Sequence, residues 1–317
     1  MRKNIRKYLF ISIIIWMVFC SQNSLLAESL FDDRRALYEK TEALTQVPWY
    51  YLAAINQYER NIHTLEEDQL VGIQYPEEKW YGLLAGLESK PDFREETLSL
   101  FQGKGKDGSG DGVASYSDPE DVLYTVALHI QEELAKGKTF EKLIEEFYDR
   151  EKAGLLISQY AKMFHHFKQV DLSERAFPLP TNYNYSYRST WGHGRGYGGR
   201  RIHEGTDLFA SYGTPVRSSS YGIVEIKGWN KFGGWRVGIR DAQNIYHYYA
   251  HLHGFEEGIE EGSFVEPGEV IGYVGSSGYG PVGTAGKFPP HLHYGMYRDN
   301  GTNEWAFDPY PYLRHWE

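Results

Sequence analysis

The residues best suited to chemistry in this 317-residue chain lie in two short stretches, Arg200-Arg201-Ile202-His203-Glu204-Gly205-Thr206-Asp207 and His291-Leu292-His293. They offer imidazole nitrogens and a carboxylate oxygen, the donors that zinc takes. Structural zinc sites usually close with four protein ligands, whereas catalytic sites keep three and leave a position for water. Two nitrogen ligands and one oxygen ligand are available here. His203 and Asp207 cannot share an ion from one straight strand, because four strand residues span roughly 13 Å and zinc bonds reach only about 2 Å. The chain must bend between them, and Gly205 is where bending is cheapest. His291 and His293 are two apart, so on a strand both point to one face while Leu292 points to the core.

The elements that present these side chains read as short strands. From Phe177-Pro178-Leu179-Pro180-Thr181 onward, Gly and Pro punctuate short alternating runs. Residues 223–226, 235–239, 245–252 and 270–274 all read as strands, and no stretch in this region carries a persuasive helical period. The expectation is an antiparallel β-domain. A period of two along 245–253 puts His247, Tyr249, His251 and His253 on one face. The Gly-rich stretch His193-Gly194-Arg195-Gly196-Tyr197-Gly198-Gly199 lacks the Gly-Lys-Ser/Thr ending of a phosphate loop.

Six pieces in order resemble the LytM/lysostaphin-type peptidoglycan endopeptidases. They are Thr190-Trp191-Gly192, Gly199 to Asp207, Gly213-Thr214-Pro215-Val216, Tyr249-Ala250-His251-Leu252, Val274-Gly275 and Pro290-His291-Leu292-His293-Tyr294. The resemblance covers roughly residues 175–317. It implies Zn2+ held by His203, Asp207 and His293, with His251 and His291 as catalytic histidines. A zinc ion so held polarises the scissile amide carbonyl and acidifies a water. The two histidines are implied to take the water proton and hold the oxyanion. Glu204 is expected in a supporting role, since no second His lies four residues after His203 and this is not the helical His-Glu-x-x-His arrangement. His247 and His253 have no counterpart and are expected as supporting or surface residues. The Gly-rich stretch is implied to wall the substrate groove.

Upstream, residues 32–44 and 47–60 read as helices. Pro48 suits a first helical turn, and Leu52, Ile55 and Glu59 share one face. A Glu on an apolar stripe is a candidate acid with a raised pKa. This helix resembles the one carrying the catalytic Glu of lytic transglycosylases, although Arg60 stands where those enzymes favour Ser. Asp107-Gly108-Ser109-Gly110-Asp111-Gly112 matches the first half of an EF-hand loop. Position 12 of that loop is Asp118 rather than Glu, so Ca2+ at residues 107–118 and a plain Gly/Asp turn both stay open. Residues 119–168 read as helical, with Leu123, Val126, Ala127 and Ile130 at helical spacing. His165 and His166, adjacent on a helix, are poor joint ligands and are expected at the surface or as caps.

The chain opens like an export signal: Arg2, Lys3, Arg6 and Lys7, an apolar run from Leu9 to Phe19, then Leu25-Leu26-Ala27. The apolar run is short for a membrane span of about 20 residues, so cleavage after Ala27 and an uncleaved anchor are both open. Cys20 invites a lipoprotein reading, against which the large Phe19 stands. It is the single cysteine, so the exported part has no disulfide and no cysteine nucleophile. The net charge of −10 becomes −14 once the four positive charges of residues 1–27 are removed. So acidic a chain is not built to bind nucleic acid through phosphates. The aromatic share of 16% suits a groove that stacks on sugars.

The expected fold class is α+β, a mostly helical lysozyme-like domain over 28–170 followed by an antiparallel β-sheet metallopeptidase domain over 171–317. The expected activity is zinc-dependent cleavage of stem-peptide amides in peptidoglycan, outside the cytoplasm in the cell wall. The full layout resembles the sporulation L-alanyl-D-glutamate endopeptidases of the LytH type, which implies a cut between the first two stem residues. Two other classes stay open: a non-catalytic wall-binding or activator module, and a dual enzyme that also cleaves glycan through Glu59.

Overall fold

The structure, a computed structural model, describes residues 30–66, 68–196 and 200–317. The export signal and Cys20 lie outside the described residues, as do residues 197–199 of the Gly-rich stretch. Among the described residues, no helix is long and apolar enough to cross a membrane. The chain forms two compact units. The first takes residues up to Asn56 with Leu65–Leu143, and the second takes Gln57–Thr64 with Ile144–Glu317.

The first unit is helical. It holds α1 (residues 30–45), most of α2 (Trp49–Ile62), α3 (Glu77–Tyr81), α4 (Glu95–Leu100), α5 (Pro119–Ala135) and the start of α6 (Phe140–Tyr148). The stripe read from the sequence is its core, for Leu52, Ile55, Leu123, Val126, Ala127 and Ile130 are all buried. Asp118 caps α5 by accepting the Glu120 and Asp121 amides, and Pro119 fills the first turn. In the 107–118 loop the carboxylates turn to backbone amides. Asp107 accepts from Gly110 at 2.6 Å and Gly112 at 2.7 Å. Asp121 accepts from Gly108, Ser109 and Ser115 at 2.8, 2.9 and 2.8 Å.

The second unit is built on strands. In chain order they are β1 (Tyr185–Tyr187), β2 (Gly194–Arg195), β3 (Arg201–Ile202), β4 (Thr206–Ala210), β5 (Pro215–Arg217), β6 (Gly222–Asn230), β7 (Gly234–Arg240), β8 (Ile245–Phe255), β9 (Phe264–Val265), β10 (Val270–Val274), β11 (His291–Asp299) and β12 (Glu304–Phe307). The main sheet runs β1-β4-β11-β8-β7-β6-β9, with β10 on β5 and β8 and with β12 on β11. Every pairing is antiparallel. The fold is therefore α+β, a helical region followed by an antiparallel sheet. One face of the sheet is apolar: Leu208, Val224, Val237, Ile239, Tyr249, Leu252, Leu292, Tyr294 and Met296 form a buried cluster. Helix α7 (Glu151–Phe167) belongs to this unit, and His166 stacks on Phe264 at 4.2 Å. A short helix α8 (Tyr310–Trp316) closes the described fold, in a region whose sequence carries no helical period. At seven residues it shows too few turns to display a period, and only Leu313 is buried.

Period-two reading fails at one place on β8. His247 and Tyr249 do face the core, but His251 does not share their face. The pairing with β7 slips between Trp235 and Val237, and His251 adopts φ +63°. A bulge adds residues on one strand and re-aims the side chain. Leu252 therefore takes the core position while His251 turns to the opposite, polar face. His253 is exposed, with Nδ1 2.5 Å from the Tyr212 hydroxyl.

Glu59 also belongs to this unit. It is buried, accepts the Tyr148 hydroxyl at 2.5 Å and lies 3.3 Å from His63 Nε2. Nearby, Arg150 grips Asp299 at both oxygens, 3.0 and 2.6 Å, and Asp299 is fully buried. Burial alone would raise the Asp299 pKa, but the Arg150 bonds overcome it and hold the carboxyl below its ordinary value. Its stabilising contribution is thus complete above the unfolded carboxylate pKa of about 3.9 and is lost as pH falls through the lower folded value. Asp299→Ala leaves Arg150 without its buried partner and is expected to cost about 3 kcal/mol in denaturant unfolding at pH 7. The same variant should show a flatter stability curve than the parent below about pH 4.

Candidate metal centre

The register of β11 against β4 brings the two motifs together. His293 stands directly opposite Asp207, and His291 opposite Phe209. Opposed residues on antiparallel strands hold their Cβ atoms about 5 Å apart, so a motif pair some 86 residues apart in sequence meets through one ladder. His203 reaches the same point from the turn that joins β3 to β4. Gly205 sits in that turn for reasons of space: a Cβ there would meet the His293 ring at 2.6 Å and the Tyr294 carbonyl at 2.6 Å. The glycine lets the backbone pass under an imidazole.

Three donor atoms converge. His203 Nε2 lies 2.9 Å from His293 Nδ1 and 3.0 Å from Asp207 Oδ1, and His293 Nδ1 lies 3.1 Å from the same oxygen. These form the group able to hold a metal ion found among the described residues. Hydrogen bonding does not explain the triangle. His203 Nδ1 is 2.9 Å from the Thr190 carbonyl, which can only accept, so the Nδ1 carries the proton. In neutral His203 the Nε2 lone pair then faces a carboxylate oxygen. Whichever neighbour a proton on His293 serves, that edge stays proton-free. A cation between the atoms resolves the conflict. Tetrahedral ligands with bonds near 2 Å stand about 3.3 Å apart, close to the spacing seen.

The surroundings fix each ligand. Thr190 serves twice, its carbonyl on His203 and its hydroxyl 3.4 Å from the Asp207 amide. Arg195, on β2, donates to the second Asp207 oxygen at 2.5 Å. Burial would raise the Asp207 pKa, but the His203 and His293 rings set against it prevail and hold it far below the usual carboxylate range.

His291 and His251 stand beside the triangle. His291 Nε2 is 3.7 Å from Asp207 Oδ1, and the His251 and His291 rings are 4.8 Å apart. Both present Nε2 by the same device. His291 Nδ1 bonds the Pro289 carbonyl at 2.8 Å, and His251 Nδ1 bonds the Ser277 carbonyl at 2.8 Å. Both rings are buried, which pushes their pKa values down; neighbouring His291 and His293 take His251 further, to about 3. Phe288 packs on both, 4.6 and 5.0 Å between centroids.

These residues line a groove of about 670 Å³ on the polar face of the sheet. Arg195, Arg201, Glu204, Arg236, Tyr248, Tyr279 and Tyr297 continue it. Glu204 is exposed on its wall. The structure thus brings together His203, Asp207, His251, His291 and His293, and it sets His247 apart. His247 is buried in the core against Tyr294 and Asp241, 2.6 and 3.1 Å away. Sequence reasoning missed Arg195 as an Asp207 partner, and the carbonyls of Thr190, Ser277 and Pro289. Carbonyls have no residue signature. For Pro289 a trace exists, because a residue before proline is held extended.

An antiparallel sheet that gathers two imidazoles and a carboxylate at one point, beside two more imidazoles, defines a metallopeptidase type of site. Residues 201–309 match the model of Peptidase family M23. The L-Ala--D-Glu endopeptidase of Bacillus subtilis (strain 168) is 52% identical over 92% of this chain and 90% of its own length. The glycyl-glycine endopeptidase ALE-1 of Staphylococcus capitis is 32% identical over 42% of this chain and 37% of its own length. The solved catalytic domain of lysostaphin from Staphylococcus simulans is 29% identical, covering 44% of this chain and 99% of that one at a TM-score of 0.35. The chain belongs to peptidase family M23.

Gly205→Ala forces a methyl group into the His293 ring. The expected result is a bound-metal content well below one per chain after dialysis, with peptidase activity reduced by at least about tenfold. Circular dichroism should stay unchanged.

Proposed function

We propose that the chain is a zinc-dependent endopeptidase that cuts the L-Ala-D-Glu bond in the stem peptide of peptidoglycan, outside the cytoplasm. The observation that carries this is the triangle of His203 Nε2, Asp207 Oδ1 and His293 Nδ1, in which the His203–Asp207 edge is left without a proton. The bond choice is supported by the 52% identity to a relative of that name along nearly its whole length. The helical part over 28–170 is read as the region that positions the wall.

His203, Asp207 and His293 would hold the zinc. When bound, it would supply Lewis-acid polarisation of the scissile carbonyl and an acidified water. The remaining work falls to side chains. His251 and His291 carry their protons on Nδ1, so each offers an Nε2 lone pair to the groove. One of them accepts a proton from the attacking water at that atom. Once protonated, Nε2–H becomes a donor to the developing oxyanion or to the leaving amine. Their carbonyl partners keep the rings from rotating, which favours reaction over wandering. Arg195 holds Asp207 by one oxygen and leaves the other toward the ligand group. Phe288 and the sheet exclude water from the back of both rings.

The tautomers favour this reading over a non-catalytic binding module, which has no use for two aligned Nε2 atoms. For the second hydrolytic reading, Glu59 is buried and already engaged by Tyr148 and His63, and it is not among the residues lining the groove. Calcium at residues 107–118 is supported by the oxygen spacing. It competes with the amides that Asp107 already accepts.

Chelation should abolish release of new amino termini from peptidoglycan, and zinc should restore it. His293→Ala should lose both the metal and the activity. His251→Ala should keep the metal and lose activity by about two to three orders of magnitude. Full activity in either variant would refute the assignment. Mass spectrometry of the released peptides identifies the bond. For calcium, a rise in Tm with millimolar Ca2+ that Asp107→Ala removes is the expected result, and an unchanged Tm excludes it.

A further inference from the structure

Two arginines lie four residues apart on β7, and the fold treats them differently. Arg240 is buried and closed by carboxylates, with Glu225 at 3.2 Å and Glu304 at 2.7 Å. Arg236 lines the groove and pairs with no carboxylate among the described residues. Its Nε is buried and without a hydrogen-bond partner. The chain carries 43 acidic against 33 basic residues, so carboxylates are not scarce. Its side-chain partner is the neutral Tyr248 hydroxyl, so the desolvation of this half-buried guanidinium is only partly compensated.

Its position is informative. The Arg236 guanidinium carbon is 5.9 Å from the Tyr248 ring, and the Tyr248 ring is 5.9 Å from the His293 ring. Arg236 is thus separated from the metal group by a single aromatic ring. That is the scale of one residue of an extended peptide, about 3.5 Å per residue plus a side chain. The other groove arginines are differently engaged. Arg195 is bound to Asp207, and Arg201 is exposed with the Tyr279 hydroxyl at 3.2 Å.

We propose that Arg236 determines specificity by binding the free carboxylate of the acidic residue that follows the scissile bond. The inference rests on the L-Ala-D-Glu reading above. A glutamate joined to alanine through its amino group keeps two carboxyl groups, and the next peptide link can use only one. The other stays anionic, within one residue of the reacting carbon. A planar guanidinium fork matches a carboxylate in two parallel hydrogen bonds and gives it both charge and direction. Arg236 fills the polar vacancy the substrate needs, and the substrate supplies the anion that Arg236 lacks.

The test uses the metal-loaded full chain and two peptides that differ in one group. One carries D-Glu after L-Ala with its carboxylate free, and the other carries the same residue as the carboxamide. The parent protein should favour the carboxylate by about tenfold or more in kcat/KM. Arg236→Gln should cut kcat/KM on the carboxylate peptide to near that on the carboxamide, while carboxamide cleavage stays within about threefold of the parent. Equal Tm and metal content would show that the site is intact. If the Gln variant does not fold, Arg236→Lys carries the test, with the preference expected to fall at least about threefold because the fork is lost. A preference unchanged in the variant, or absent in a parent that cuts both peptides, overturns this inference and leaves the peptidase reading standing. A parent that cuts neither peptide yet releases amino termini from peptidoglycan overturns the bond assignment and this inference together.

Discussion

Three donor atoms held about 3 Å apart in a buried pocket leave at least one pair of lone pairs facing each other, and this repulsion is what the rest of the second unit is built to withstand. His203, Asp207 and His293 could relax apart in a looser frame. They do not, because each is pinned from behind. His293 is locked in the β4-β11-β8 ladder, with Leu292 and Tyr294 buried on its other side. Asp207 is gripped by Arg195 at its second oxygen, and His203 is fixed by a backbone carbonyl. The sheet supplies the rigidity, and a cation removes the conflict that the rigidity sustains.

The same device recurs at the two histidines that do not belong to the triangle. A carbonyl on Nδ1 decides the tautomer of His203, His251 and His291 alike. Backbone carbonyls serve well here because they cannot titrate and cannot donate. A carboxylate in that role would raise each imidazole's pKa and favour the charged form. With carbonyls, burial prevails and His251 and His291 are held below their ordinary values. Burial prevails at His247 as well, which is walled into the core against Asp241, is held below its ordinary value and is not among the residues lining the groove.

Much of this was legible from residue types. Gly205 marked the bend, and Leu292 between two histidines marked a strand with one polar and one apolar face. The M23 motifs gave the order of the pieces. What local reasoning could not deliver was anything set by a break in regularity. Period two on β8 put His251 on the face of Tyr249, and only the bulge at φ +63° undoes that. A bulge arises from how two strands pair, so neither strand announces it alone. Gly205 shows the complementary case: the residue was flagged for flexibility, whereas the structure uses its missing side chain. The EF-hand spacing at 107–112 was read from oxygen positions, yet spacing does not say whether an ion or an amide takes each oxygen.

The bulge also explains why one sheet can be core and reaction surface at once. Strict alternation from Tyr249 would send His251 into the core and Leu252 onto the polar face. One extra residue resolves this at the cost of a left-handed backbone on a non-glycine residue, about 1 kcal/mol. That cost is offset where the chain is over-determined: the His251 amide bonds the Gly233 carbonyl at 2.7 Å, and Leu252 fills the core behind it. The left-handed backbone at His251 thus falls where the strand departs from alternation. His251 reaches the polar, groove-lining face of this sheet because the β7–β8 pairing slips at that point.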